Sequence, residues 1–363
     1  MRIAQVTYSY KPIIGGADVY AARLHRLLMG EGYESCVYQR HREAEGREVR
    51  MLPRLPGLSA GREFWLLPLF VPLHALSLLQ KRALIVHYPN YWLPVFWHHR
   101  IIGLSHGVTW DDRPQSAAGR FKKWLARTAF RNCQAFVAND TFFLREMGLD
   151  VEPGKGAFEE VAPGRWFIPN TVNAETFSPN RGTRELRELN PILVPRNIYR
   201  NRGLHLALEA YNLFRREHPE TTLVIVGDFS QPEYARELAA QTRDLGLLGR
   251  VVFAGPVPHD EMPAVYGSAL MTVIPSLCGE GTSLSALESM SCGVATVSTD
   301  VGGLADLPTV QAPPHIEPLA RAMIETFERR EEEGEQQRKL VLAHYPEERW
   351  NDTWLKVVEQ VVG

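Results

Sequence analysis

Two carboxylates, Glu280 and Glu288, bracket most of the stretch GEGTSLSALESMSCG at positions 279–293. Eight residues of ideal helix turn through about 800°, which leaves two helical acids roughly 80° apart and not facing one another. A loop acid followed by a helical acid resolves the spacing. The helix then begins near Thr282 or Ser283, either of which can cap it, and Gly293 is its stop. Its unpaired N–H groups favour an anion, and each carboxylate can accept two hydroxyl bonds, so the pattern suits a polyol and a ribose joined by phosphates. The plainer reading makes Glu280 a loop acid and Glu288 a helix surface charge. Leu284, Leu287 and Met290 on the apolar face leave both readings open.

Other residues of the same chemical kind sit at strand ends. Arg196 closes the strand-like NPILVP, and Arg202 follows six residues later before Gly203 and an apolar helix. Two fixed guanidinium groups can neutralise a diphosphate and bind it bidentately. Gly15-Gly16 follows the first strand and opens a helix. Such a turn lets backbone approach phosphate oxygens, although it lacks the G-x-G-x-x-G spacing of a dinucleotide site. Further strand-end positions are His87, His106 and Val257. The segments HYPNYW and GVTWDD place His87, Asn90, Tyr91, Trp110 and Asp111 at strand ends, where aromatic and amide groups suit sugar stacking and hydroxyl bonding, although aromatic core is the commoner use of such tryptophans. No Asp-x-Asp or Cys/His metal spacing is present, and no metal is expected.

The elements that carry these residues repeat one grammar. Short runs such as RIAQVTY, ALIVHY, PILVP, TTLVIVGD and LMTVIPS alternate with helical patterns, the signature of parallel sheets covered on both faces. Two such series predict an α/β chain of two facing doubly wound, Rossmann-like domains with an interdomain cleft. The boundaries read 1–170 and 171–345, with 346–363 a helix returning to the first domain.

Composition limits the function classes. Of 363 residues, 40 are Lys or Arg and 42 Asp or Glu, and a net charge of −2 argues against a nucleic-acid binder. The charge is uneven, with 22 basic against 16 acidic residues over 1–180 and 18 against 26 thereafter. Four cysteines without ligand spacing and an N-terminus that reads as a strand predict a cytoplasmic protein. The uncharged run FWLLPLFVPLHALSLL (64–79) is shorter than the ~20 residues of a membrane span and contains two prolines. It is either a loop with a buried helix or an apolar patch for a lipid-linked acceptor. With the basic amphipathic stretch RFKKWLARTAFR (120–131) it favours peripheral contact at the inner face of a membrane.

These residues together resemble the retaining glycosyltransferases of family 4, which have the GT-B fold, and the resemblance runs nearly end to end. It rests on Gly15-Gly16, His106-Gly107, IPNTVNAETFSP, Arg196 with Arg202-Gly203, and Glu280 and Glu288 followed by Cys292-Gly293 and Gly302-Gly303. The resemblance implies a metal-independent, retaining hexosyltransferase. It would move sugar from a UDP- or GDP-linked donor to a glycan or lipid-linked acceptor, in cell-surface polysaccharide or glycoconjugate assembly, without a cofactor. It implies that Arg196 and Arg202 hold the diphosphate and stabilise the leaving group. Glu288 would bind ribose, while Glu280 and the backbone of Thr282, Ser283 and Leu284 hold sugar and phosphate. Gly15-Gly16 would meet the diphosphate, and His106 would sit at the donor sugar's reacting face. Val257 joins the donor side. Departures from the family pattern, Pro195 before Arg196 and Thr282-Ser283 after Gly281, put donor identity in doubt. An epimerase, an inverting transferase or a silent sugar-nucleotide binder are the competing readings.

Overall fold

The fold is seen in a computed structural model that describes residues 2–13, 15–40, 46–52, 78, 83–96, 100–152, 156–229 and 231–363. The apolar run 64–79, Leu78 excepted, and Ile14 lie outside the described residues. The chain divides into two units: 1–151 with 157–169 and 348–363, and 152–156 with 170–347.

In the first unit, β1 (Arg2–Val6), β2 (Glu34–Gln39), β3 (Val49–Met51), β4 (Ala83–His87), β5 (Ile101–Ser105), β6 (Ala135–Ala138), β7 (Glu159–Ala162) and β8 (Arg165–Phe167) form one sheet ordered β3-β2-β1-β4-β5-β6-β8-β7. Only β7 runs antiparallel. Strands β4 and β5 are buried at every position, as continuous apolar runs in a two-sided parallel sheet must be. Strand order reverses between β1 and β4, the switch point at whose carboxyl ends ligands bind in such sheets. The helices α1 (Gly16–Gly30), α2 (Leu93–Phe96), α3 (Ala117–Asn132) and α4 (Thr141–Glu146) follow in chain order. The C-terminal helix, Glu347–Val362, completes this unit's core. Its Trp350, Trp354, Val357 and Val358 are fully buried among Ile3, Tyr20, Leu24 and Ile85.

In the second unit, β9 (Pro191–Pro195), β10 (Thr222–Val226), β11 (Val251–Gly255), β12 (Met271–Ile274), β13 (Thr296–Thr299) and β14 (Val310–Ala312) give the order β11-β10-β9-β12-β13-β14, all parallel. This repeats the connectivity of the first sheet and puts the switch point between β9 and β12. Pro191 opens its strand, where a missing N–H costs least. The intervening helices are α5 (Arg184–Arg187), α6 (Leu204–Phe214), α7 (Pro232–Asp244), α8 (Met262–Tyr266), α9 (Leu284–Ser291), α10 (Ile316–Glu328) and α11 (Arg330–His344). Helices α6 and α10 pack Leu204, Leu208, Tyr211, Leu319 and Met323 on one side of the sheet, and α9 packs Leu287 and Met290 in the other core cluster. None of the described helices is long and apolar enough to cross a membrane.

Candidate active site

The switch point of the second unit assembles four of the residues singled out in the sequence. Strand β9 delivers Arg196, and a short 3-10 turn, Arg200–Arg202, delivers Arg202. The loop after β12 brings Glu280 between them. Its Oε1 is paired with Arg202, lies 3.4 Å from Nη2 of Arg196, and accepts a 2.8 Å bond from Ser276. Arg196 Nη2 also donates to Ser283 Oγ at 3.0 Å. Arg196 is 8% exposed, and among the described residues its Nε has no hydrogen-bond partner. Burial pushes its pKa down to about 10, so the guanidinium stays charged at neutral pH. A buried and a half-buried cation thus face one carboxylate, a surplus of positive charge beside a helix N-terminus, and that combination attracts an anion.

Helix α9 starts as the sequence predicts. Ser283 is its N-cap in an extended conformation, its Oγ accepting from Ala286 N at 3.4 Å, and Gly293 follows the helix with φ +78°. Glu288 lies inside this helix at 6% exposure, so the surface-charge alternative does not describe it. A buried carboxylate needs donors. His259 Nε2 supplies one at 2.8 Å to Oε1 and Tyr266 Oη another at 3.0 Å to Oε2. The carboxylate and burial together hold the Tyr266 phenol well above its usual range, burial contributing more. Neither partner was singled out from sequence, because they lie 29 and 22 residues away with no periodic relation to Glu288.

Two glycines let the loops close on this site. At Gly203 (φ +67°) a Cβ would lie 1.9 Å from the Pro275 carbonyl oxygen, and at Gly302 (φ +56°) 2.4 Å from that of Glu280. Any side chain at either position displaces the backbone that carries Arg202 or Glu280.

Several site expectations meet a different geometry. Thr282 Oγ1 accepts from the Asn170 backbone N–H at 3.0 Å, and Asn170 Nδ2 donates to the Thr282 carbonyl. Thr282 is 2% exposed. The Thr282 and Ser283 hydroxyls therefore fasten the loop to the IPN segment, to Arg196 and to the helix cap. The Asn of IPNT also explains that motif as a tether, reinforced by Thr171 Oγ1 donating to the Tyr345 carbonyl. Val257 is partly buried at the edge of the core cluster that includes Leu287 and Met290.

In the first unit, the Gly15-Gly16 turn is capped from within. Asp18, 3% exposed, accepts the Gly15 N–H at 3.1 Å and a 2.6 Å bond from Ser9 Oγ. A carboxylate in the first turn meets the N–H that a phosphate reading of Gly15 and Gly16 needs, and it repels a phosphate there. His106 follows β5 and is partly exposed. Its Nε2 lies 3.1 Å from His87 Nδ1, and Tyr20 meets its ring edge-on at 4.9 Å. Burial lowers the His106 pKa to about 4 and that of His87 well below its usual value. Both rings are neutral at physiological pH.

The residues proposed for the acceptor side turn inward. His87, Asn90, Tyr91 and Trp110 are between 1% and 4% exposed. Tyr91 Oη donates to the Leu104 carbonyl, Asn90 Nδ2 bonds the Val6 carbonyl, and Trp110 Nε1 bonds Glu146. Their strand-end positions were legible, but their side chains fill the core, so the acceptor reading is corrected for these four. Asp111 is partly exposed and has a partner elsewhere in the structure. Helix α3 presents Trp124, 50% exposed, beside exposed Arg120, Arg127 and Arg131, while Leu125, Ala126, Ala129 and Phe130 face the core. Among the described residues, no group of three His, Cys, Asp or Glu is arranged to hold a metal ion.

The six-strand parallel order that the second sheet shares with the greater part of the first belongs to an α/β protein of GT-B fold. Residues 182–339, within the second unit, match the family described as Glycosyl transferases group 1. A D-inositol 3-phosphate glycosyltransferase from Acidothermus cellulolyticus is 35% identical over 152 residues, covering 38% of this chain and 33% of that protein. The chain thus spans about a third of the length of the first curated relatives it matches. Among solved structures, sucrose-phosphate synthase from Thermosynechococcus elongatus has a TM-score of 0.82 at 17% identity, covering 99% of this chain and 98% of that one. Anabaena Alr3699/HepE in complex with UDP-glucose has a TM-score of 0.74 at 16% identity, covering 99% of each chain.

Proposed function

We propose that the protein is a retaining glycosyltransferase that moves a hexose from a UDP- or GDP-linked donor to a glycan or lipid-linked acceptor, in polysaccharide or glycoconjugate assembly. The observation that carries this reading is the Arg196–Arg202–Glu280 cluster at the N-terminus of α9, with Glu288 held inside the same helix. The family match to residues 182–339, the named activity of the inositol-phosphate relative and the UDP-glucose complex of Alr3699/HepE support it.

On this reading the two guanidinium groups take the donor diphosphate and stabilise the charge that develops on it as the glycosidic bond breaks. That cationic charge does the work a divalent metal does elsewhere, so turnover persists in excess chelator. Glu288, fixed by His259 and Tyr266, accepts ribose hydroxyl bonds. Glu280 exchanges part of its arginine pairing for hydroxyls of the sugar, and the Leu284 N–H with its neighbours meets phosphate. His106 meets a hydroxyl of the sugar. We further propose that α3 meets an anionic membrane through Trp124 and its exposed arginines, which flotation with phosphatidylglycerol vesicles tests against Trp124→Ala.

The deciding experiment is a binding screen of UDP- and GDP-sugars followed by determination of the product's anomeric configuration. Retention is the expected result. An inverted product, or an epimerised nucleotide sugar without transfer, overturns the retaining reading.

A further inference from the structure

Four groups of the first unit are hydrogen-bonded in a line. Gln5 Nε2 lies 3.0 Å from the Ala21 carbonyl oxygen, Gln5 Oε1 3.2 Å from His87 Nε2, and His87 Nδ1 3.1 Å from His106 Nε2. Gln5 and His87 are 0% and 1% exposed, so water does not compete for these bonds. Chemistry then assigns every hydrogen. A carbonyl oxygen only accepts, so the Gln5 group facing Ala21 is the amide NH₂ and its oxygen faces His87. That oxygen also only accepts, so His87 Nε2 carries a hydrogen. Burial keeps His87 neutral, and a neutral imidazole has one N–H, so its Nδ1 is bare. The group facing that bare nitrogen, His106 Nε2, must donate.

We propose that Gln5 and His87 are positioning residues that lock His106 in its Nε2–H tautomer, leaving Nδ1 as an acceptor for a hydroxyl of the bound sugar. Among the described residues, His106 Nδ1 has no hydrogen-bond partner. Tyr20 packs its ring edge-on against His106, and among the described residues its hydroxyl, which accepts from Trp354 Nε1 at 2.7 Å, makes no hydrogen bond to His106. The lock follows from the apo geometry; only the identity of the hydroxyl rests on the glycosyltransferase reading. Its consequence is a selectivity rule: the position facing His106 takes a group that donates and rejects one that only accepts.

Nitrogen-15 NMR of the histidine rings in the full chain at neutral pH tests the lock, with His106 assigned by loss of its signal in His106→Asn. The expected spectrum shows protonated Nε2 and bare Nδ1. In Gln5→Met, where the oxygen that orients His87 is gone, both His106 tautomers are populated, and kcat/KM for the sugar donor falls roughly tenfold. With monodeoxy and monofluoro donors, the wild type loses equally from both at one hydroxyl position, since fluorine does not donate. A hydrogen on His106 Nδ1 in the wild type overturns the lock without any variant having to fold. So does an unchanged tautomer in folded Gln5→Met. A locked tautomer in a chain that neither binds nor turns over UDP- or GDP-sugars upholds the lock and overturns the glycosyltransferase reading instead.

Discussion

The two units share a strand order but equip its switch point in opposite ways. In the second unit the strand ends carry formal charge, with Arg196 and Arg202 against Glu280 and with Glu288 below. In the first, the corresponding place holds two neutral histidines joined to a glutamine amide. The contrast shows that connectivity supplies a location and leaves the chemistry to a few side chains. A charged site suits an anionic group. A neutral site of fixed hydrogen-bond polarity suits a polyol.

The largest change that separates the two units is Trp350→Ala. It empties a fully buried position in the first unit's core and costs about 3–5 kcal/mol, measured by urea unfolding. Arg196→Ala removes charge from the second unit's site and lowers kcat/KM for the donor by about 10²–10³-fold, with the fold retained by circular dichroism. Near-wild-type turnover there would show that the arginine pair is not the donor site. Gly302→Ala, whose new Cβ meets the Glu280 carbonyl, destabilises by about 1–3 kcal/mol and weakens donor binding at the same time.

The neutral histidines add a pH dependence that the arginine site does not share. Their folded pKa values lie below the unfolded value near 6.5, so the unfolded chain binds more protons as pH falls from about 6.5 toward 4. Stability therefore drops through that window and is flat above it, and His106→Gln reduces the slope of the urea midpoint against pH. The smallest expected effect is that of Thr282→Val. It loses about 1 kcal/mol of stability with the Asn170 bond, while the ratio of UDP- to GDP-sugar turnover stays unchanged. A changed ratio would return Thr282 to the ligand.

Legibility in the sequence followed the range of the interactions. The capped helix 284–291, the loop placement of Glu280 and the buried strands were all readable, because capping, glycine stops and apolar runs act within a few residues. The partners were not. His259 lies two positions beyond Val257, which strand-end logic did pick out, but nothing local tells a loop histidine that it will meet Glu288. Gln5 sits mid-strand in RIAQV, and its role depends on His87, 82 residues away. Tyr91 and Trp110 show the converse, since position at a strand end does not decide which way a ring turns. Asp18 was legible in principle, as an acid three residues after Gly15 is an N-terminal cap signal.

The helix Glu347–Val362 packs into the first unit although the whole of 170–347 precedes it. On a ribosome this reverses the usual order of events. The second unit's sheet is fully synthesised while the surface around Tyr20, Leu24 and Ile85 still waits for Trp350 and Trp354. Residues 1–169 made alone would expose that surface to water, whereas 152–347 contains every strand of its own sheet. Residues 348–363 are thus made after the second unit and finish the first, and until they arrive its histidine pair rests on an open core.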